Sequence, residues 1–333
     1  FTLTNVRWSH RLQLRAIPPA SLARPVQIVA KLHARQVDDL KSWNGTVDAN
    51  VAGVSFSRLA AWLALPYQPQ QGRGALNMQF EVARGALAGV TAGLELHDIE
   101  MKLGDDLPPV RLAQVRGQTQ WQHGPDGYRV AFDNLRVARP GTALGAPFNA
   151  GLSWGGTSHE ITAQAFSLGG WQSLLPSLPM DAALRARLQA LQPQGRFDLL
   201  RFGWTGAQPG LDNFTMTARF SGLGVSAIDN QPGLSNLSGH IEGDARAGVF
   251  EIDSQQMTLG LPDLFREPSF AIDSLHARGK WQKTPRGRRL TLDDMVFSNP
   301  DMAGSAKGYY ELIPGQRGLI DLTAHLSRAD GTA

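Results

Sequence analysis

Leu76-Asn77-Met78-Gln79-Phe80-Glu81-Val82 is the stretch on which the fold turns. Apolar side chains stand at every second position, with polar ones between them. In an extended chain successive side chains leave opposite faces, so this segment has one dry face and one wet face. Strands of that kind belong to antiparallel sheets, because parallel sheets bury both faces.

Working outward, the same period of two dominates the chain. Phe214, Met216, Ala218 and Phe220 alternate with Thr215, Thr217 and Arg219. Ile320, Leu322, Ala324 and Leu326 alternate with Asp321, Thr323 and His325. Leu94, Leu96, Met101 and Leu103 keep the pattern across a break at His97–Glu100, and further runs occupy Val26–Ala34, Val47–Val51, Val130–Val137, Phe250–Leu261 and Leu290–Phe297. Phe1–Arg15 also alternates like a strand. Gly124-Pro125-Asp126-Gly127 and Thr284-Pro285-Arg286-Gly287 read as hairpin turns, as does Pro314–Gly318. Helix signals are few. Ser57–Leu65 is a short apolar candidate capped by Ser57 and stopped before Pro66. Asp181–Leu191 is a second, and Trp171–Leu175 reads as an extra turn before it.

Composition agrees. Of 333 residues 42% are hydrophobic and only 18% charged, with 36 glycines and 20 prolines. Many short strands joined by turns produce that mix, whereas low-complexity disorder lacks so many evenly spread apolar residues. The net charge of +3 is too small and too scattered to argue for nucleic acid. There is no cysteine, which excludes disulfides and thiolate metal sites and fits an oxidising compartment such as a periplasm. The longest apolar run, Leu59–Leu65, falls far short of the ~20 residues of a spanning helix. With no initiator methionine and no signal peptide, the chain reads as an excerpt whose targeting segment or anchor lies outside it.

One stretch repeats. Val115–Pro140 aligns without gaps to Leu275–Pro300 at an offset of 160, with identities at Trp121/Trp281, Gln122/Gln282, Pro125/Pro285, Gly127/Gly287, Arg129/Arg289, Asp133/Asp293 and Pro140/Pro300. A helix, several strands and a Trp-turn-strand hairpin then make the repeated unit. The approximate divisions are a β segment at 1–55, a first helix-plus-strands unit at 56–165 and a second at 166–333.

Catalytic and metal motifs are not evident. The eight histidines show no metal-ligand spacing. Ser226 lacks the second glycine of a nucleophile elbow. Gly222-Leu223-Gly224-Val225-Ser226-Ala227 mimics a dinucleotide fingerprint, but a turn follows where a helix is required. The adjacent carboxylates Asp38-Asp39, Asp105-Asp106 and Asp293-Asp294 are expected on opposite strand faces, unable to share a proton or a metal. Arg278, Lys280, Lys283, Arg286, Arg288 and Arg289 crowd one hairpin, as a solvated edge rather than a foothold on anionic headgroups. The eight tryptophans are dispersed, and packing at helix contacts and strand ends accounts for them better than a nucleic-acid platform does. No enzyme activity and no cofactor is expected.

A family resemblance lies in the second half. Gly233-Leu234-Ser235-Asn236-Leu237-Ser238-Gly239-His240-Ile241-Glu242-Gly243, then Leu261-Pro262-Asp263-Leu264-Phe265-Arg266-Glu267-Pro268, then Phe297-Ser298-Asn299-Pro300-Asp301 with Gly308-Tyr309-Tyr310 and Gly318-Leu319-Ile320-Asp321-Leu322, resemble in order and spacing the YhdP family of AsmA-like, TamB-related envelope proteins. The motifs are turn glycines, edge prolines and inward apolar positions. In Phe1–Gly222 only order and pattern agree.

The residues alone leave two architectures open. One-sided strands need their dry faces covered, and the helix supply is too small to do it, so these faces either meet in a closed sandwich or curl around a lumen. The resemblance implies the second: a mainly β chain whose elongated, twisted antiparallel sheet curls into an open groove, with a few short helices. It further implies a periplasmic segment of a protein anchored in the inner membrane of a Gram-negative bacterium. Such a segment carries phospholipid along an apolar groove between inner and outer membrane, with membrane contact made outside it. The groove-lining candidates are Leu76, Met78, Phe80, Phe214, Met216, Phe220, Leu290, Leu292, Ile320 and Leu322, taking phospholipid acyl chains as partner. The competing class is a non-catalytic closed sandwich serving as an envelope scaffold.

Overall fold

Alternation of apolar and polar residues becomes strand almost wherever it occurs. The computed structural model describes residues 1–36, 38–60, 68–180, 182–210, 212–228, 232–260, 269–315 and 318–329. It is 70% strand and 8% helix. Two compact units divide it, one of residues 1–156 with 176–179, the other of residues 157–175 with 180–333.

The first unit holds β1 (Thr2–Val6), β2 (Ser9–Ala16), β3 (Val26–His33), β4 (Asn44–Ser55), β5 (Gln68–Ala83), β6 (Ala86–Lys102), β7 (Val110–Gly124), β8 (Gly127–Ala138) and β9 (Phe148–Gly155). Each pairs antiparallel with its neighbour in sequence. The alternating segment at Phe1–Arg15 is thus two strands, parted by a turn in which Arg7 has φ 50°. The second unit holds β10 (Ser158–Ser167), β11 (Gln194–Thr205), β12 (Phe214–Val225), β13 (Gly233–Asp244), β14 (Ala247–Gly260), β15 (Ser269–Thr284), β16 (Gly287–Ser298), β17 (Met302–Leu312) and β18 (Leu319–Ala329). It is again a consecutive antiparallel meander. Neither meander closes on itself: among the described residues no ladder joins β1 to β9 or β10 to β18. The open antiparallel sheet expected from the family is the observed fold class.

Both hairpin turns with the Pro-x-Gly signature form as expected, β7 to β8 and β15 to β16. They are also the repeat. Arg116 opposes Arg136, Thr119 opposes Phe132 and Trp121 opposes Val130. At the offset of 160, His276 opposes Val296, Gly279 opposes Leu292 and Trp281 opposes Leu290.

The helices are short. α1 spans Phe56–Ala60, starting one residue before the expected cap at Ser57, and the rest of that candidate lies outside the described residues. α2 spans Ala182–Leu191 and buries no residue. In the 3-10 segment Gly169–Ser177, Leu174 is buried and Trp171 stacks on Phe166 at 5.5 Å. The Leu261–Pro268 motif lies outside the described residues.

Candidate functional site: an uncovered apolar face

Registers assemble the alternating strands into continuous apolar rows. In the first unit one row runs Leu12, Ala30, Val47, Phe80, Val90, Trp121, Val130, Leu152 across eight strands. The next runs Leu14, Ile28, Ala49, Met78, Ala92, Thr119, Phe132, Ala150. Leu76, between Val51 and Leu94, begins a third. In the second unit a row links Ile161, Phe202, Met216, Gly243, Gly248, Trp281, Leu290, Tyr310 and Ile320. Below it run Leu200, Ala218, Ile241, Phe250, Gly279, Leu292, Gly308 and Leu322. Phe214 opposes Trp204, and Phe220 lies between Phe197 and Gly239. The ten lining candidates therefore stand on one face of their own unit, three in the first and seven in the second.

That face has no second layer. Leu76, Met78, Phe80, Phe214, Met216 and Leu292 are half-buried by neighbours along the sheet, and Phe220 is buried. Leu290, Ile320 and Leu322 are 45%, 63% and 51% exposed. Among the described residues the largest side chain fully shut off from solvent is that of Ser254. A closed sandwich buries its inward leucines and phenylalanines completely; here Ala30, Ala218, Val54 and Met257 are buried, but Leu290, Leu312, Ile320, Leu322 and Leu326 stay exposed. Glycines flatten the face further. A Cβ on Gly248 meets Cζ2 of Trp281 at 2.0 Å, and one on Gly279 meets Cζ of Phe250 at 2.4 Å, so each aromatic ring lies over a neighbouring glycine.

The opposite face is polar and cross-linked. Gln79 donates to Asp48 at 2.8 Å, Arg111 to Glu100 at 3.0 Å, and Arg278 and Lys280 pair with Asp294 and Asp293 at 3.8 and 3.2 Å. A recess of ≈ 480 Å³ on the polar face of the first unit is lined by amides including Gln27, Asn50, Asn77, Gln79 and Gln118. It is no acyl-chain site. Glu311 is 3% exposed; it accepts from Arg289 at 3.1 Å and from the Thr284 hydroxyl at 3.0 Å. The Arg289 hydrogen bond, then that of Thr284, holds its carboxyl below the ordinary glutamate value.

One expectation changes. Asp293 and Asp294 do not leave opposite faces. A register shift between Leu292 and Met295 puts both of those apolar residues inward, so both aspartates reach cations on the polar face. The basic hairpin is also ion-paired: Lys283 and Arg288 both reach Asp212, at 3.2 and 2.9 Å, while Arg278, Lys280 and Arg289 have the partners just described. Sequence could not show the Asp212 contact, because the partners lie 71 and 76 residues apart.

Aromatic residues concentrate where the short hairpins turn. In the first unit His123 stacks on Tyr128 at 4.4 Å, and Tyr128 on Trp154 at 5.5 Å. In the second His159 stacks on Trp204 at 5.0 Å, and the Trp281 indole donates to the Asp244 carbonyl at 2.9 Å. Strand ends, as expected from the sequence, take these tryptophans; their gathering on the apolar face at one end of the strands comes from register.

A family model described as YhdP protein matches residues 1–333. The chain belongs to the YhdP family. Proteins of this family are cell-envelope proteins. No curated protein and no solved structure matches the chain. Membership extends the resemblance in Gly233–Arg328 to the whole length, including the first half, where only pattern had agreed. Among the described residues no helix is long and apolar enough to cross a membrane, and no group of three or more His, Asp or Glu side chains is placed to hold a metal ion.

Proposed function

We propose that this YhdP-family chain is a non-enzymatic, periplasmic segment of a lipid-carrying envelope protein, in which phospholipid acyl chains lie against the apolar face. The observation that carries the reading is that face itself: continuous across eight strands in the first unit and nine in the second, smooth, and without a covering layer. Contiguous exposed apolar surface beyond a few hundred Å² marks a binding surface. Burial is worth ~0.8 kcal/mol per CH₂, so acyl chains strongly prefer the face to water. Dispersion and apolar burial are non-directional, so movement along rows of like residues meets little barrier. Transfer between inner and outer membrane, with anchoring outside this segment, is part of the same proposal, and family membership supports it.

The test is native mass spectrometry with lipid extraction on the chain purified from a Gram-negative host, beside Met216→Asp. Met216 sits mid-row between Phe202 and Gly243, where a carboxylate faces acyl chains rather than water. Phospholipid bound in reproducible amounts and lost from the variant supports the reading. A stable, lipid-free wild type that also refuses added phospholipid overturns it and leaves an envelope scaffold.

A further inference from the structure

Down the second unit, the apolar face is graded. Lys283 and Arg288 oppose one another at the hairpin tip of β15 and β16. They share the parity of Trp281 and Leu290, so they stand on the apolar side, not on the wet side with Arg278, Lys280 and Arg289. One step below comes the row of Trp281 and Leu290, and below that the aliphatic row of Leu292. Cations at the lip, an indole beneath them and aliphatic carbon deeper in is the polarity order of a phospholipid, from phosphate through the ester region to the acyl chain.

A carboxylate already occupies the lip. Asp212 comes from the connection between β11 and β12 and spans the β13–β14 turn to reach Lys283 Nζ at 3.2 Å and Arg288 at 2.9 Å. Asp212 is 74% exposed, and Arg288 only 24%. The hydrogen bond and charge of Lys283, then the hydrogen bond of Arg288, hold Asp212 below the usual aspartate value. So exposed a carboxylate is a weak tether, since solvent-exposed ion pairs contribute little. Its oxygen marks where two converging cations place an anion.

We propose that Lys283 and Arg288 form a subsite for the phosphate of a phospholipid, with Asp212 as the resident anion that the phosphate displaces. This rests on the groove reading and deepens it: the lipid lies along the strands with its headgroup at the hairpin tips and its chains towards Leu292. An arginine beside a lysine suits that task, because guanidinium takes phosphate oxygens in bidentate fashion and ammonium adds a compact charge.

The experiment measures the affinity of the full chain for three probes: dioctanoyl-phosphatidylglycerol, dioctanoylglycerol, which has the same chains without phosphate, and inorganic phosphate. The wild type is expected to bind the phospholipid about tenfold more tightly than the diacylglycerol, the scale of one charged hydrogen-bonded contact. K283Q/R288Q should bring the two lipids to equal affinity while leaving the diacylglycerol value unchanged, which also reports that the variant is folded. D212N should tighten the phospholipid alone, by a few-fold. Equal wild-type affinities, an unchanged ratio in the double variant, or inorganic phosphate binding as tightly as the phospholipid overturn the subsite. So does loss of both lipids in K283Q/R288Q, which assigns the pair to holding the rim in shape. Failure of the wild type to bind either lipid overturns the groove reading and the subsite with it.

Discussion

Gly279 shows how single residues set the surface. Its missing Cβ leaves room for the Phe250 ring and for the Thr291 carbonyl, each of which a Cβ would approach to 2.4 Å. Gly279→Ala is expected to destabilise the chain by ~1–3 kcal/mol, the usual cost of overpacking. Gly93, whose added Cβ would meet nothing nearer than 3.7 Å, is the control, with a change within about 0.5 kcal/mol in urea unfolding. Glu311 supplies a pH dependence. Its folded-state value is lowered from 4.5, so the stability it contributes is present above that value and is lost as pH falls through the lower folded one. Glu311→Gln should therefore lower the Tm at pH 7, and the gap to wild type should close in acid. A gap that stays constant down to pH 2 would show that the carboxylate charge is not what stabilises this site.

At the scale of elements, bulges shape the strands. Asp98, Asn134, Ala165, Asn236 and Gln256 all have φ between 51° and 60° inside strands, and Gly222 has φ 60°. Beyond such a residue the inward parity changes: in β14 Phe250 and Ile252 face in before Gln256, and Met257 and Leu259 after it. The break at His97–Glu100 visible in the sequence is one of these, at Asp98. Asn236 suits its place, since asparagine tolerates the left-handed region and its side-chain amide donates to the Gln255 carbonyl at 2.7 Å. Asn236→Val is expected to cost ~1–3 kcal/mol, while Asn236→Gly, free of a Cβ, costs less. Equal losses in the two variants would mean that the side-chain bond, not the backbone conformation, is what the position requires.

For the molecule as a whole, the consequence is apolar surface that stays accessible in the native state. The lipid-free chain is expected to enhance anilinonaphthalene sulfonate fluorescence while keeping native near-UV circular dichroism, unlike a molten globule, which loses that signal. Added phospholipid should displace the dye, and Met216→Asp should bind less of it. A native chain that leaves the dye dark has its faces closed.

Sequence by itself determined most of the strands, the Pro-x-Gly hairpins, the repeat and the sidedness of the alternating runs up to their bulges, because a period of two is a local consequence of extended backbone. It also determined which face Leu76 and Met216 share with their strand neighbours, and its motifs in Gly233–Arg328 pointed to the family that the whole chain proves to match. Tertiary structure decided the rest. Whether dry faces meet or stay open depends on what packs across them, and alternation is identical in both cases. Bulges at Asn134 and between Leu292 and Met295 reset parity, so the faces of Asp293 and Asp294 were not legible from spacing. The reach of Asp212 to Lys283 and Arg288 depends on the path of a loop over an intervening hairpin, and no local pattern encodes a contact between residues so far apart along the chain.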